Sequence, residues 1–109
     1  MKKLLAFITL FVFCAMAYAS AEKLDRRMVV INHSDQAIIG LAASPIDAPK
    51  WNYNMLNGDA IPIGGRKWAD FDDGTGYCRY DLLATGAGGG RWEKYDVNVC
   101  AGESWTLNP

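Results

Sequence analysis

Cysteine, histidine and carboxylate side chains are the groups through which this sequence could do chemistry, and their number and spacing restrict it. There are three cysteines and one histidine in 109 residues. Setting aside Cys14, which falls in an apolar leader treated below, leaves Cys78 and Cys100. The two lack the C-x-x-C spacing of a redox or metal pair and have no neighbouring histidine. An even count in an oxidising compartment predicts a disulfide between them. Closing a loop of about 22 residues restricts the unfolded chain by roughly 3 kcal/mol on a loop-entropy account, a large share of a small domain's stability. His33 sits in a polar turn segment with no second histidine, so neither a zinc site nor a Cys–His nucleophile pair can be assembled.

The densest polar cluster is Asp70-Phe71-Asp72-Asp73-Gly74-Thr75-Gly76. Asp70, Asp72 and Asp73 are the residue type a Ca²⁺ ion requires. The match to an EF-hand loop is poor, because Gly74 occupies the third ligand position and Tyr80-Asp81 falls where the loop should end. An Asp-Gly hairpin turn accounts for the run without a metal, and no cofactor is expected. A carboxylate hydrolase built from Asp70, Asp72, Asp73 or Asp81 would need two of them to face one cleft. The run Gly86-Ala87-Gly88-Gly89-Gly90 lies between expected strands rather than before a helix, so it reads as a flexible hairpin connection and not a phosphate cradle.

Aromatic residues offer binding rather than catalysis. Beyond the leader they are Trp51, Tyr53, Trp68, Phe71, Tyr77, Tyr80, Trp92, Tyr95 and Trp105. A small β domain needs several of them in its core, since each covers about 150–250 Å². Strand parity assigns Tyr80 and Tyr95 to the core face and Trp92 to the opposite one, while Trp51 lies in a loop. Trp51 and Trp92 are therefore the candidate exposed ligand-binding platforms.

The elements that must position these residues are strands. Met28–Asn32 and Ala37–Ala42 read as a hairpin, broken by Ser44-Pro45 and Pro49. Lys50–Leu56 is expected to make one short helical turn, with Trp51 and Met55 at i,i+4 spacing, ended by Asn57-Gly58. Arg66–Phe71 and Tyr77–Ala84 follow as strands joined by Asp72–Gly76, with Cys78, Tyr80 and Leu82 on one face. Arg91–Cys100 is next, with a bulge near Cys100, and Ser104–Leu107 closes the chain. The pattern predicts an all-β fold: a small antiparallel sandwich or barrel of about six or seven strands, one short helical turn and one disulfide.

The leader itself has Lys2 and Lys3, an apolar stretch from Leu4 to Met16 and a small-x-small site at Ala17-Tyr18-Ala19 or Ala19-Ser20-Ala21, which predicts a signal peptide over residues 1–21, cleaved to leave one domain over 22–109. Its apolar run is well short of the ~20 residues that cross a bilayer, so no stable membrane span is expected after cleavage. The formal net charge is −1, and removing Lys2 and Lys3 from 11 basic residues leaves 9 against 12 acidic ones. With both signs scattered and no basic stripe, nucleic-acid binding is not expected.

Val30-Ile31-Asn32-His33-Ser34, Ile39–Pro45, Trp51–Leu56, Ile61–Gly64, Cys78-Arg79-Tyr80-Asp81-Leu82 and Asp96-Val97-Asn98-Val99-Cys100 together resemble a group of small exported bacterial β-rich proteins of uncharacterised function. The Cys-Arg-Tyr-Asp-Leu and Val-Asn-x-Cys pieces are the most specific. The resemblance implies a compact β domain with paired cysteines and no established activity. Asn52 and Asn54 depart from the pattern, standing where it has Gly and Asp. The functional expectation is an exported, non-enzymatic binding module, periplasmic or secreted, whose partner is a protein or a cell-envelope glycan. Two alternatives are a secreted inhibitor of an envelope-degrading hydrolase, presenting Thr85–Gly90 as a protruding loop, and a small carboxylate-based hydrolase.

Overall fold

The structure, a computed structural model, describes residues 24–53 and 55–109; the expected signal peptide over 1–21 lies outside them, as does Asn54. Six strands form: β1 (Arg27–Asn32), β2 (Ile38–Pro45), β3 (Arg66–Asp70), β4 (Arg79–Gly86), β5 (Arg91–Asn98) and β6 (Ser104–Leu107). They make two three-stranded sheets, in the orders β3-β1-β6 and β2-β4-β5. The fold is all-β and sandwich-like. Period-2 alternation explains its core, since every second residue of a strand turns to the same face. Met28, Val30, Ala69, Trp105 and Leu107 of the first sheet join Ile38, Leu41, Leu82, Ala84 and Val97 of the second in one buried cluster. Burial of each large apolar side chain contributes about 1.5–3 kcal/mol. Cys78 and Cys100 are bonded, with Cα atoms 5.4 Å apart. Among the described residues no helix is long and apolar enough to cross a membrane.

Strand pairing differs from the expected succession of hairpins. β1 and β2 are consecutive but belong to different sheets, and so do β3 and β4. Residues 33–37 and 71–78 are therefore arches from one sheet to the other, and Asp72–Gly76 is not a hairpin turn. The turn chemistry of both segments is real, but reversal alone does not specify which sheet the chain enters next. Long-range bonds do. Arg26, 7% exposed, donates from Nε to Tyr77 O (2.8 Å) and from Nη2 to Gly76 O (2.8 Å), fastening the second arch to the start of β1. The sandwich is also not wholly antiparallel, because β1 runs parallel to β6. An arch and a return through the other sheet bring the closing strand back in the same direction.

Two local expectations change as well. No helical residue occurs among the described residues of Lys50–Leu56. The segment instead runs along the free edge of β2, where Asn52 and Ala43 exchange both backbone bonds (2.8 and 3.0 Å) and Ile61 and Ile38 do the same (2.9 Å each). Edge backbone groups are satisfied this way, which outweighs a single i,i+4 pair. β2 also continues through Ser44 to Pro45, whose missing donor is tolerated at a strand's last position.

Candidate functional site

Trp51 is held from both sides by backbone bonding. Lys50 N donates to Ser44 Oγ at 3.0 Å, and Asn52 pairs with Ala43, so the residue between them is fixed against the end of β2. The indole is 39% exposed and lies 6.1 Å from the Tyr53 ring, tilted by 32°. It borders a groove of about 460 Å³ lined by Pro45, Ala48, Lys50, Asn52, Asp73 and Thr75 besides Trp51 itself. The structure thus brings Trp51 together with one residue of the acidic run, although some 22 positions separate them in the chain.

The acidic run enters the groove through a chain of tight turns. Asp70 Oδ1 accepts from Asp72 N (3.0 Å), Asp72 Oδ1 from Gly74 N (3.1 Å), and Asp73 Oδ1 from Thr75 N (3.0 Å) and from the Thr75 hydroxyl. Each carboxylate folds back onto the amide two residues on, the local bond that makes Asp a turn residue. Among the described residues no group of three or more His, Cys, Asp or Glu is arranged to hold a metal ion. Asp73 is the member with a perturbed ionisation. Burial opposes its charged form, but the Thr75 hydroxyl, the Thr75 amide and Tyr80 together hold its carboxyl below the usual value.

Sharing Asn52 and Asp73 with the groove is a second, small pocket of about 20 Å³, lined also by Asp70, Asp72 and Tyr80. Tyr80 is only 2% exposed, and its hydroxyl lies against Asp73 and Thr75 without meeting either in full hydrogen-bonding geometry. Burial raises its ionisation above the usual phenol value, and the Asp73 charge adds to this, so the hydroxyl keeps its proton. Asp81 belongs elsewhere. It lies on the face of β4 opposite Tyr80, and its Oδ1 accepts from Asp96 N at 3.0 Å.

Trp92 is not the exposed platform expected of it. It is half-buried against the core, and its Nε1 donates to Asn108 O at 2.6 Å; a shallow groove of about 520 Å³ beside it is lined by Asp35, Gln36, Arg91 and the chain end. Tyr95, expected inside, is 64% exposed. One bulge explains both. Tyr80 pairs with Val97 but Leu82 pairs with Lys94, so two steps on β4 meet three on β5, and Asp96 takes a positive φ of 52°. The extra residue reverses parity along β5: Trp92 turns in before it, Val97 turns in after it, and Tyr95 is left outside. The bulge lies upstream of Cys100, where the sequence placed it, because its signal is the Asp81–Asp96 bond rather than local composition. His33 is exposed. Lys50 and Thr75 were not singled out from sequence, and Asn52 only as a departure from the resemblance; Lys50 and Asn52 flank Trp51, while Thr75 reaches it across the second arch.

No family model and no curated protein matches the chain. Among solved structures, the chain is similar to one described as the NMR structure of the protein from Eubacterium rectale, with 10% identity, 79% of each chain covered and a TM-score of 0.51. At that identity the likeness is one of fold alone.

Proposed function

We propose that the chain is an exported, non-enzymatic binding module, periplasmic or secreted, that takes a cell-envelope glycan in the Trp51 groove. The observation that carries this reading is the pairing of a part-exposed, backbone-anchored indole with an ionised carboxylate across a groove of about 460 Å³, within the size range of small-molecule sites. A saccharide ring presents weakly positive C–H edges that suit the negative face of an indole. Its hydroxyls suit the charged acceptor Asp73 and the donors of Lys50 and Thr75. Both bonds that Thr75 makes to Asp73 use Oδ1, and a carboxylate has a second oxygen to offer a ligand. The downward shift of Asp73 favours a permanent acceptor over a general acid, whose ionisation would need to move up. The disulfide is in keeping with an oxidising compartment.

The test is co-sedimentation of the exported protein with purified peptidoglycan sacculi. Wild-type protein pellets, and Trp51→Ala, which removes a part-exposed ring, binds about tenfold more weakly, equivalent to roughly 1.4 kcal/mol. Tyr95→Ala, on the opposite face of the sheet from the core, pellets like wild type. Equal pelleting by Trp51→Ala, or none by wild type, refutes the reading.

A further inference from the structure

Trp51 and Tyr53, whose rings lie 6.1 Å apart, border two different grooves. Trp51 belongs to the one described above, and Tyr53 to a second of about 240 Å³ lined also by Gly40, Ala42, Leu83, Thr85 and Arg91. The floor of this second groove is the outer face of the β2-β4-β5 sheet. Ala42 pairs with Leu83 and Leu83 with Glu93, a row of opposite parity to the core residues Leu41, Ala43, Leu82 and Ala84. At Gly40 a Cβ would stand 2.3 Å from Thr85 Oγ1, so the floor there stays bare backbone. Arg91 supplies the charge. Its side chain is 62% exposed, and Nε donates to Glu93 Oε1 at 2.8 Å. An exposed ion pair of this kind is weak, and it uses one of the five donors of a guanidinium, so Glu93 orients Arg91 and leaves its two terminal amines for another acceptor.

The two grooves have opposite preferences. In the first, the Asp73 carboxylate accepts from hydroxyls and disfavours a second carboxylate, whereas the planar fork of Arg91 in the second suits a carboxylate, which it can hold through two bonds. The second groove is also smaller than the roughly 300–1,000 Å³ of a whole small-molecule site, which suits a side group rather than a further sugar ring. We propose that it is a subsite for a carboxylate-bearing substituent of the glycan held in the first groove, with Arg91 as the residue that binds the carboxylate and Tyr53 as the wall beside Trp51. This inference rests on the glycan reading above. Peptidoglycan fits the pairing, since its sugars carry carboxylates on their peptide stems and, where a stem has been removed, on the lactyl ether.

The experiment is calorimetric titration with soluble ligands of matched sugar length: an intact muropeptide, its stem-free counterpart, which keeps only the lactyl carboxylate, and a chito-oligosaccharide, which has no carboxylate. Wild type is expected to bind at least one carboxylate-bearing ligand about fivefold more tightly than the chito-oligosaccharide, an advantage that shrinks in high salt. A gain with the intact muropeptide alone assigns the bound carboxylate to the stem, and a gain with the stem-free ligand assigns it to the sugar. Arg91→Gln is expected to bind every ligand as weakly as the chito-oligosaccharide, and Arg91→Lys, which keeps the charge without the fork, to retain part of the difference. Trp51→Ala weakens all of them alike. Equal affinities of wild type for the three ligands, or an advantage that survives Arg91→Gln, overturns the subsite and leaves the glycan reading standing. Absence of binding to any of them refutes the glycan reading itself, and the subsite with it.

Discussion

Asn32 ends β1 with its side chain fully buried, and its bonds reach both the arch that follows it and the distant Ile61–Pro62 segment. Nδ2 donates to Gln36 O (2.9 Å), Ile61 O (3.0 Å) and Pro62 O (3.2 Å), while Oδ1 accepts from Ser34 N (3.0 Å) and Ser34 Oγ (2.6 Å). One amide therefore closes the first arch and ties the loop before β3 to it. Truncation would leave several buried partners unsatisfied, each costing about 1–3 kcal/mol. Asn32→Ala is expected to lose about 3 kcal/mol of unfolding free energy in urea, and a loss below about 1 kcal/mol would mean water replaces the amide. In the sequence this residue reads only as the polar end of a strand. Its weight comes from Ile61 and Pro62, partners that no local window contains.

At the scale of elements, the β4–β5 hairpin was legible and its glycine content was misread. Thr85–Gly90 does reverse the chain between antiparallel strands, with Gly86 N donating to Gly90 O at 2.8 Å. Yet the glycines are there for a close approach rather than for flexibility. Gln36 of the first arch inserts its side chain into the loop, where Oε1 accepts from Gly88 N (2.7 Å) and Gly90 N (3.0 Å). A Cβ on Gly86 would lie 2.3 Å from that oxygen, and one on Gly90 would lie 2.5 Å from Gln36 Nε2. Gly86→Ala is expected to cost about 1–2 kcal/mol by expelling the glutamine, and less than half of that in a Gln36→Ala background. Thermal melts of the four proteins give the coupling; equal costs in both backgrounds would show that the plug is not what demands the glycine. The strands themselves could be read because alternation is local. Their partners could not, since the five residues of the first arch (33–37) and the four between β4 and β5 (87–90) are equally short, turn-forming connections.

For the whole molecule, the sequence sufficed for an all-β domain with a Cys78–Cys100 bridge, and the sandwich adds the arrangement of faces. The bridge joins the start of β4 to the end of β5, and Val99 N donates to Cys78 O at 2.8 Å beside it. Replacing both cysteines by serine is expected to cost about 3 kcal/mol, read as a fall in Tm of roughly 4–8 °C per kcal/mol. A fall of only a few degrees would show that native pairing alone holds the two strands. Trp51 was a candidate platform from its loop position, whereas Asp73 stood out only as a weak metal or hydrolase candidate in its acidic run. That they share one groove follows from the second arch, which delivers Asp73 and Thr75 to the end of β2 where Pro45 and Trp51 lie. Trp92 is half-buried against the core because one bulge inverted the face on which parity had placed it.

The groove between Trp51 and Asp73 is the centre of this account, and NMR titration of the isotopically labelled protein with soluble peptidoglycan fragments tests it most directly. Saturable shifts are predicted at the Trp51 indole N–H and at the amides of Lys50, Asn52 and Thr75, with the Trp92 indole, bonded to Asn108, unmoved. Shifts confined to the Trp92 face, or none at millimolar fragment, would contradict it.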